Sequence, residues 1–317
     1  MGAHMRVDRL VDPKSNSPAF CEPQNVNWAP ERLVRHFGAE IRESRQLPAS
    51  SKLGDIGPLE LRLTRDQRDV RRLQKLRYEV FYKHGLAVAD FTTRFTRRDR
   101  DPFDSICDHL MVVDRSGRQW ITGRLPVIGT YRLLRQDIAE KYGGFYSAQE
   151  FDISPLLTRH PALRFVELGR SCVLPAYRTK RTIELLWHGV WRYVRKHHLD
   201  VMIGCASFDG IDTARLARPL SFLHHFARAP APWRAAAHAL RRIEMNRIAK
   251  SEIDIKAAWH DLPPLIKGYL RLGACVGDGA VIDRQFGTTD VLIILPVWEI
   301  SPRYVRHFGA DAKRYAT

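Results

Sequence analysis

The sequence predicts one α/β (α+β) domain in which helices flank a central mixed β-sheet. Short stretches of alternating or continuous apolar residues are interspersed with longer stretches whose apolar residues recur at helical spacing. Of the 317 residues, 44% are apolar and 27% are charged, which is the balance of a globular protein with a packed core. Mixed strands with helices between them are typical of an α/β or α+β domain.

An N-terminal arm precedes the predicted domain. We interpret residues 1–5 (MGAHM) as a tag remnant, and residues 6–58 are rich in Pro, Ser and Asn. We expect this arm to be poorly packed, with one short helix near residues 31–42. We therefore place the folded domain at residues 59–317.

The domain opens with a strand and a helix. Residues 59–64 alternate between apolar and polar side chains, which predicts a strand. Val70, Leu73 and Leu76 recur at helical spacing, which predicts a helix over residues 65–83. Further strands are predicted at 109–114, 120–134, 164–173, 201–208, 274–282 and 290–297, and further helices at 182–197, 213–226, 234–250 and 262–273.

The net positive charge indicates which classes of molecule the protein can bind. The chain has 51 Lys and Arg residues against 35 Asp and Glu, a formal charge of +16, and residues 170–250 hold 15 basic and 5 acidic residues. A basic surface of this kind attracts nucleic acid, anionic lipid or an acidic protein. The sequence contains no zinc-finger, RNP or basic-region pattern, so we expect no nucleic-acid partner. A basic nucleic-acid-binding module remains the non-enzyme alternative.

The cysteines and the apolar runs favour a cytoplasmic protein. Five cysteines are widely spaced and form no CxxC motif, so we expect reduced thiols and no zinc site. The longest apolar run, residues 291–298, is interrupted by Pro296 and is far shorter than the ~20 residues of a membrane span. Peripheral contact with the inner face of the cytoplasmic membrane stays open.

A basic turn joins the strand at 164–173 to the helix at 182–197. Arg178, Lys180 and Arg181 bring positive charge to the start of the helix, and Thr182 brings a hydroxyl. Helix N-termini bind anions through free N–H groups, but cationic side chains there oppose the helix dipole unless an anion lies between them. The turn is therefore a candidate phosphate site, with a solvated basic turn as the alternative.

Glu167 stands in a strand that is otherwise typical of a core. A buried carboxylate is destabilising unless it is paired, so Glu167 is a candidate general base. Strand alternation places it on the same face as Gly169 and Ser171, with Arg170 on the opposite face. A structural ion pair between a glutamate and an arginine remains the alternative.

Three acidic residues precede the strand at 109–114. Asp101, Asp104 and Asp108 stand beside His109, without a calcium-loop pattern and without a second histidine at metal-ligand spacing. A cationic substrate group is therefore a better ligand than a metal. Turn and helix capping by aspartate is the alternative.

Several motifs together resemble a known enzyme family. The segments at 77–81 (RYEVF), 101–110, 129–134 (GTYRLL) and 167–170 (ELGR) resemble the acyl-carrier-protein-dependent branch of the GNAT acyltransferase superfamily, which includes acyl-homoserine lactone synthases and N-acyl amino acid synthases. Within this branch the chain is most similar to the bacterial enzymes that acylate ornithine. That similarity rests on the segments at 145–152 (FYSAQEFD), 177–182 (YRTKRT), 186–189 (LWHG), 204–208 (GCASF) and 262–273 (LPPLIKGYLRLG), and the whole resemblance covers about residues 59–309.

The resemblance implies a fold and a reaction. We expect a GNAT-like domain that transfers a 3-hydroxyacyl chain from acyl carrier protein to the α-amino group of L-ornithine, giving lyso-ornithine lipid in the first step of ornithine lipid synthesis. The superfamily binds a pyrophosphate with a glycine-containing loop, whereas this chain has Arg181 and Ile183 at the glycine positions. This difference favours the single phosphate of a phosphopantetheine arm over coenzyme A. No separate cofactor and no metal are expected.

The resemblance also assigns roles to the candidate residues. Glu167 would act as the base, directly or through one water. The acyl-phosphopantetheine arm would contact five residues at the end of the strand and the basic turn, namely Val173, Arg178, Lys180, Arg181 and Thr182. Ornithine would contact six residues, namely Arg77, Asp101, Asp104, Asp108, Arg132 and Arg170.

Two further possibilities remain open at this point. Residues 234–250 are basic and predicted to form an amphipathic helix, which would lie on anionic lipid or form an ordinary domain helix with a wet basic face. Another N-acyl amino acid synthase or an acyl-homoserine lactone synthase using acyl carrier protein is the alternative enzyme.

Overall fold

The computed structural model describes residues 50–117 and 124–308. The strands are β1 (Ser50–Ile56), β2 (Leu59–Thr64), β3 (Asp108–Asp114), β4 (Val127–Arg135), β5 (Phe151–Asp152), β6 (Phe165–Val173), β7 (Val201–Asp209), β8 (Ala236–Ala237), β9 (Arg242–Ile243), β10 (Cys275–Val276), β11 (Ala280–Asp283) and β12 (Thr288–Pro296). The α-helices are α1 (Gln67–Tyr78), α2 (Phe91–Thr96), α3 (Gln136–Ala139), α4 (Ser154–Arg159), α5 (Lys180–Lys196), α6 (Ala217–Phe226), α7 (Ile255–Asp261), α8 (Pro264–Leu272) and α9 (Pro302–Phe308).

The main sheet is mixed, as the sequence predicts. Its strands follow the order β1-β2-β3-β4-β6-β7-β12-β11-β9, and β10 also pairs with β12. Among the described strands of this sheet, the β6–β7 pair is parallel and the other pairs are antiparallel. A mixed central sheet with flanking helices agrees with the α/β (α+β) class that the sequence predicts.

The parallel pair is short, and its end creates an opening in the sheet. Pairing runs from Phe165 opposite Val201 to Glu167 opposite Ile203, and no later pair joins β6 to β7 in the described residues. Gly204 follows at once, and a Cβ atom there would lie against the carbonyl oxygen of Leu168. Beyond this point the two strands present unpaired edges to each other, and we call this opening the β6–β7 cleft.

Helix α5 packs closely against the other side of the sheet. Its buried residues join the largest apolar cluster of the described chain, together with β2, β3 and α8. At Gly189 a Cβ atom would lie 2.6 Å from Leu61 Cδ2 and 3.1 Å from Leu110 Cδ1, so a larger residue here would displace these buried leucine side chains. The packing holds the start of α5 at the end of β6, where the basic turn lies.

Two sequence predictions differ from the structure. Strand β1 pairs with β2, from Ser50 opposite Thr64 to Ile56 opposite Leu59. Regular structure therefore starts at Ser50, before the domain boundary expected at residue 59. Residues 234–250 form no helix: β9 pairs with β11, and Arg242 contacts Asp278. These partners lie far away in sequence, and their hydrogen bonds override the local helical pattern. The tag remnant, the helix expected at 31–42 and residues 120–123 lie outside the described residues.

Candidate active site

Glu167 lies on β6 at the last pair before the cleft opens. Its side chain is buried, and its two carboxylate oxygens accept hydrogen bonds from consecutive backbone N–H groups: Oε2 from Tyr146 at 2.8 Å and Oε1 from Ser147 at 2.7 Å. Burial raises the pKa of Glu167, and the Ser147 and Tyr146 donors offset part of this rise. The described residues contain no ion pair to Glu167, so a glutamate–arginine pair does not explain this buried carboxylate.

A β-bulge brings Arg170 to the same side as Glu167. Between the pairs Arg132–Gly169 and Thr130–Cys172, one residue of β4 stands opposite two residues of β6, and Arg170 has a left-handed φ of 48°. The Arg170 guanidinium lies over the ring of Tyr146, whose N–H group holds Glu167. The alternation that placed Arg170 and Glu167 on opposite faces is therefore wrong, because the bulge interrupts it.

Arg77, Arg132, Arg170, Asp99, Asp101 and Asp104 form one set of ion pairs, which we call the arginine–aspartate network. Arg77 binds Asp104 through both terminal nitrogens, at 2.8 and 2.6 Å. Arg132 contacts Asp101 at 2.6 Å and Asp104 at 3.2 Å. Arg170 contacts Asp101 at 2.9 Å and Asp99 at 3.3 Å. Three guanidiniums thus meet three carboxylates, and the network is electrically balanced.

The network keeps its aspartates ionised and connects them to Glu167. Although burial acts in the opposite direction, the arginines hold the pKa values of Asp101 and Asp104 below their usual range. Aromatic rings fix the guanidiniums, since Arg132 lies 5.6 Å from the ring centre of Tyr146 and Arg170 lies 4.9 Å from it. Tyr146 therefore contacts both arginines with its ring and Glu167 with its backbone.

Asp108 lies outside this network, although the sequence grouped it with Asp101 and Asp104. Its carboxylate contacts the Arg65 guanidinium and accepts a hydrogen bond from the Tyr193 hydroxyl at 2.6 Å. It thereby joins the start of β3 to α5. The structure brings together the other five predicted substrate residues, and an open cavity of about 440 Å³ adjoins Asp101 and Asp104.

The basic turn lies at the far end of β6. Arg178 donates from Nε to the carbonyl oxygen of Val173 at 3.2 Å, and Thr179 caps α5 by accepting from the N–H group of Thr182 at 3.4 Å. Lys180 and Arg181 are exposed at the first turn of α5, whereas Thr182 is buried. The turn thus presents cationic side chains after the end of β6, on the part of the chain that follows the last β6–β7 pair.

The sequence reasoning missed an acidic cluster next to the cleft. Polar atoms of Glu150, Cys205 and Asp290 all lie within 4.8 Å of one another, and the Cys205 thiol donates to Glu150 Oε2 at 3.4 Å. Burial and the neighbouring acids raise the pKa of Glu150 to about 7, and burial raises that of Asp290 to about 6. One sequence signal was available, because Asp290 opens a continuous apolar strand that has no basic neighbour.

Comparisons with known proteins place the chain among acyltransferases. The profile of the acetyltransferase (GNAT) domain family matches residues 76–188. The L-ornithine N(alpha)-acyltransferase of Rhizobium meliloti is 51% identical over 287 residues, which cover 90% of this chain and 96% of that relative. The enzyme of the same name from Rhodobacter capsulatus is 39% identical over 245 residues, covering 77% of this chain and 92% of that relative. Among solved structures, an N-acyl amino acid synthase from uncultured soil microbes has a TM-score of 0.41 and 8% identity, covering 76% of this chain and 92% of that one.

Proposed function

Because the chain belongs to the L-ornithine N(alpha)-acyltransferase family of GNAT N-acyltransferases, we propose that it transfers a 3-hydroxyacyl chain from acyl carrier protein to the α-amino group of L-ornithine. The product is lyso-ornithine lipid. The amine attacks the thioester carbonyl, the C–N bond forms, the C–S bond breaks, and the thiol of the carrier arm leaves. The protonated α-amine loses two protons in all: one passes to the base, and the other protonates the departing thiolate.

The observation that carries this proposal is the position of Glu167. A protonated α-amine cannot attack a thioester, so the reaction needs a proton acceptor beside the nucleophile. Glu167 lies at the edge of the β6–β7 cleft, its orientation is fixed by two N–H groups, and its pKa is raised toward the range in which a carboxylate accepts a proton efficiently. It takes the proton directly or through one water.

The N–H group of Val173 is the proposed donor to the thioester oxygen. Leu174 donates its N–H to the carbonyl oxygen of Ile128 on β4, at 2.9 Å. Successive N–H groups of a strand point to opposite edges, so that of Val173 faces the side where pairing to β7 has ended. A fixed backbone donor at this edge stabilises the negative charge that develops on the oxygen.

The basic turn suits the phosphate of the donor arm. Arg178, Lys180 and Arg181 surround the start of α5, and Thr182 lies within the first turn. Arg181 and Ile183 occupy the positions where the superfamily has glycine, which favours a single phosphate over the pyrophosphate of coenzyme A. The basic surface of residues 170–250 also complements an acidic carrier protein.

Arg132 and Arg170 are the proposed contacts for the ornithine carboxylate. Of these two, Arg170 is the more accessible, with 12% of its side chain exposed against 4% for Arg132. Guanidinium groups bind carboxylates bidentately. Asp101 and Asp104 already contact arginines, so we assign them the positioning of these guanidiniums rather than direct contact with ornithine.

An acyl-transfer assay with mass detection tests the proposal. The protein is mixed with 3-hydroxyacyl carrier protein and, in separate reactions, with ornithine, other amino acids and S-adenosylmethionine; acyl-CoA replaces the carrier protein in a parallel series. We expect an N-acyl product that requires ornithine and forms poorly from acyl-CoA. A lactone from S-adenosylmethionine, or preference for another amino acid, would replace the proposal by one of the alternative synthases.

A further inference from the structure

A buried carboxylate oxygen beside the cleft has no hydrogen-bond partner in the described part of the chain. It is Oδ1 of Asp290, a residue with only 7% of its surface exposed. Asp290 on β12 pairs in register with Ser207 on β7. The polar atoms of its carboxylate, the Glu150 carboxylate and the Cys205 thiol lie within 4.8 Å of one another. The hydroxyls of Ser207 and Thr288 lower the pKa of this carboxylate, but Oδ1 itself accepts no hydrogen bond from the described residues. An unpartnered buried acceptor atom is costly, and a bound donor would remove that cost.

The charges around this oxygen are unbalanced. Asp283 adds a third carboxylate, whose Oδ1 accepts from the N–H groups of Gln285 and Phe286. Within the described residues, Glu150 forms one ion pair, with Arg241 at 3.3 Å from Oε1, and Asp290 forms none. The Arg241 side chain is 40% exposed. Arg170 acts on Asp290 only through space. The cluster therefore lacks positive charge when its acids are ionised.

The cluster borders an exposed residue and is joined to the proposed base. Ser207, opposite Asp290 in the register, is exposed on a strand from the middle of the sheet. Glu150 follows Ser147 by one short turn, and the Ser147 N–H group holds Glu167. An acceptor amino acid with its α-amine at Glu167 thus has the carboxylates of Glu150 and Asp290 within the same cleft.

We propose that Glu150 and Asp290 form the subsite for the side-chain ammonium of the acceptor, and thereby select a diamino acid. This inference rests on the proposed acylation of ornithine and deepens it. An ammonium group has three donors, and Asp290 Oδ1 and the Glu150 carboxylate supply acceptors for them. A divalent metal is the less suitable cation, because burial raises the pKa of the Cys205 thiol and so opposes the thiolate that a metal requires.

The test compares ornithine with L-norvaline, which has the same carbon chain without the terminal ammonium. Wild type, Glu150→Gln, Asp290→Asn and the exposed control Glu140→Gln are assayed with both acceptors at saturating acyl carrier protein. We expect wild type and Glu140→Gln to prefer ornithine strongly, and the preference, as the ratio of kcat/KM values, to fall about 100-fold in Glu150→Gln and Asp290→Asn. An unchanged ratio in both variants would overturn the subsite.

A binding measurement separates this inference from the proposed function. Thermal shift with 1,4-diaminobutane, which carries the terminal amine without a carboxylate, needs no acyl donor. A shift in wild type that disappears in Glu150→Gln and Asp290→Asn supports the subsite even if ornithine proves not to be acylated. Activity that is lost with a chelator and restored by a divalent metal would identify the cluster as a metal site and overturn the proposal.

A second, independent observation concerns the surface around α2. Phe91 and Phe95 are 84% and 81% exposed, and their rings stack on each other with centroids 6.3 Å apart. Leu86 and Val88 are also exposed on the preceding loop. The same segment carries exposed basic side chains, namely Lys83, Arg94, Arg97 and Arg100. We call residues 83–100 the α2 surface.

The α2 surface lies beside the active site. Val88 donates its N–H to the carbonyl oxygen of Gln285 at 2.8 Å, and the ring of the next residue, Phe286, lies 4.6 Å from the Arg170 guanidinium. Exposed aromatic residues ringed by basic ones match an anionic lipid surface, where the rings enter the interface and the cations meet phosphates. We infer that the α2 surface docks on an anionic bilayer, which would bring the proposed active site close to the membrane that receives the lipid product.

Vesicle co-sedimentation tests the docking surface. We expect the full chain to bind vesicles that contain phosphatidylglycerol, to bind phosphatidylcholine vesicles weakly, and to lose about ten-fold in binding in the Phe91→Ser/Phe95→Ser variant. Leu240→Ser, at another fully exposed apolar residue, is the matched control. Unchanged vesicle binding in the double variant would overturn the inference, and so would a defect confined to the KM for acyl carrier protein, which would assign the surface to that partner.

Discussion

Two groups of charged side chains flank the Tyr146–Gln149 turn, whose N–H groups bind Glu167, and the two groups differ in charge balance. In the arginine–aspartate network, three arginines neutralise three aspartates, and the pKa values of Asp101 and Asp104 are lowered. Around Glu150 and Asp290, the acids outnumber the one arginine that contacts them within the described residues, and their pKa values are raised.

The difference separates a largely preformed scaffold from an unsatisfied binding site. A balanced buried network has already formed most of its interactions, so it mainly fixes geometry, and its more accessible arginine, Arg170, is the member proposed to meet the ornithine carboxylate. An unbalanced cluster is costly in the free protein, and a ligand of the opposite charge removes the cost on binding. Strand β6 lies between β4 and β7, so Glu167 stands between the two regions.

The largest expected effect comes from the residue between the two regions. Glu167→Gln keeps the shape and the acceptor on one side-chain oxygen but removes the proton acceptor, so we expect kcat to fall about 10³-fold. The KM for acyl carrier protein should stay close to wild type, because the basic turn is unaffected. Steady-state kinetics measure both quantities, and a kcat near wild type would show that another group accepts the proton.

Breaking the balanced network should mainly cost stability. Arg77 is fully buried and contacts Asp99 and Asp104, so Arg77→Met leaves uncompensated carboxylates and should lower the free energy of unfolding by about 3–5 kcal/mol. Urea unfolding measures the loss. Arg72→Met, which removes a more exposed pair with Asp69, should cost less than about 1 kcal/mol. Equal losses in the two variants would contradict the scaffold role.

Much of the fold followed from local patterns. The strand at β2, the helix at α1 and the strand–turn–helix unit of β6 and α5 lie where alternation, helical periodicity and the basic turn predict them. Gly273 ends α8 with a left-handed φ of 101°, as expected from a glycine after the last apolar residue of the helix.

The rest depends on contacts between distant residues. At the bulge, the Arg170 guanidinium packs between the rings of Tyr146 and Phe286, and alternation within β6 cannot reveal these contacts. Glu150 meets Asp290 only after β7 and β12 pair, although the two residues lie far apart in sequence. Residues 234–250 have a helical pattern, but the edge of β11 supplies hydrogen bonds that favour an extended chain.

Mutation of the acidic cluster around Glu150 and Asp290 should raise, rather than lower, the free energy of unfolding. The pKa of Glu150 is about 7 in the folded protein, above its ordinary value of 4.5, so the folded state binds more protons between these values and loses stability as pH rises through them. Glu150→Gln removes this cost, and we expect it to raise the free energy of unfolding by about 2 kcal/mol near pH 8 and by little near pH 5. Urea unfolding at both pH values measures the gain, with Glu140→Gln as control. A loss of stability at pH 8 would contradict the idea that this cluster awaits a cation.

The basic turn also has unbalanced charge, but here the excess is positive, which indicates a binding site for an anion. Within the described residues Arg178 and Arg181 contact no carboxylate, and Lys180 is 83% exposed with Glu184 at 3.7 Å, so this region is unbalanced toward positive charge. The Arg178→Ala/Arg181→Ala variant should raise the KM for acyl carrier protein about five-fold at low salt, with a smaller effect at high salt because exposed charges are screened. Arg215→Ala, an exposed arginine paired with Asp212, should leave this KM unchanged. If Arg215→Ala had an equal effect, overall charge rather than a local phosphate site would attract the carrier protein.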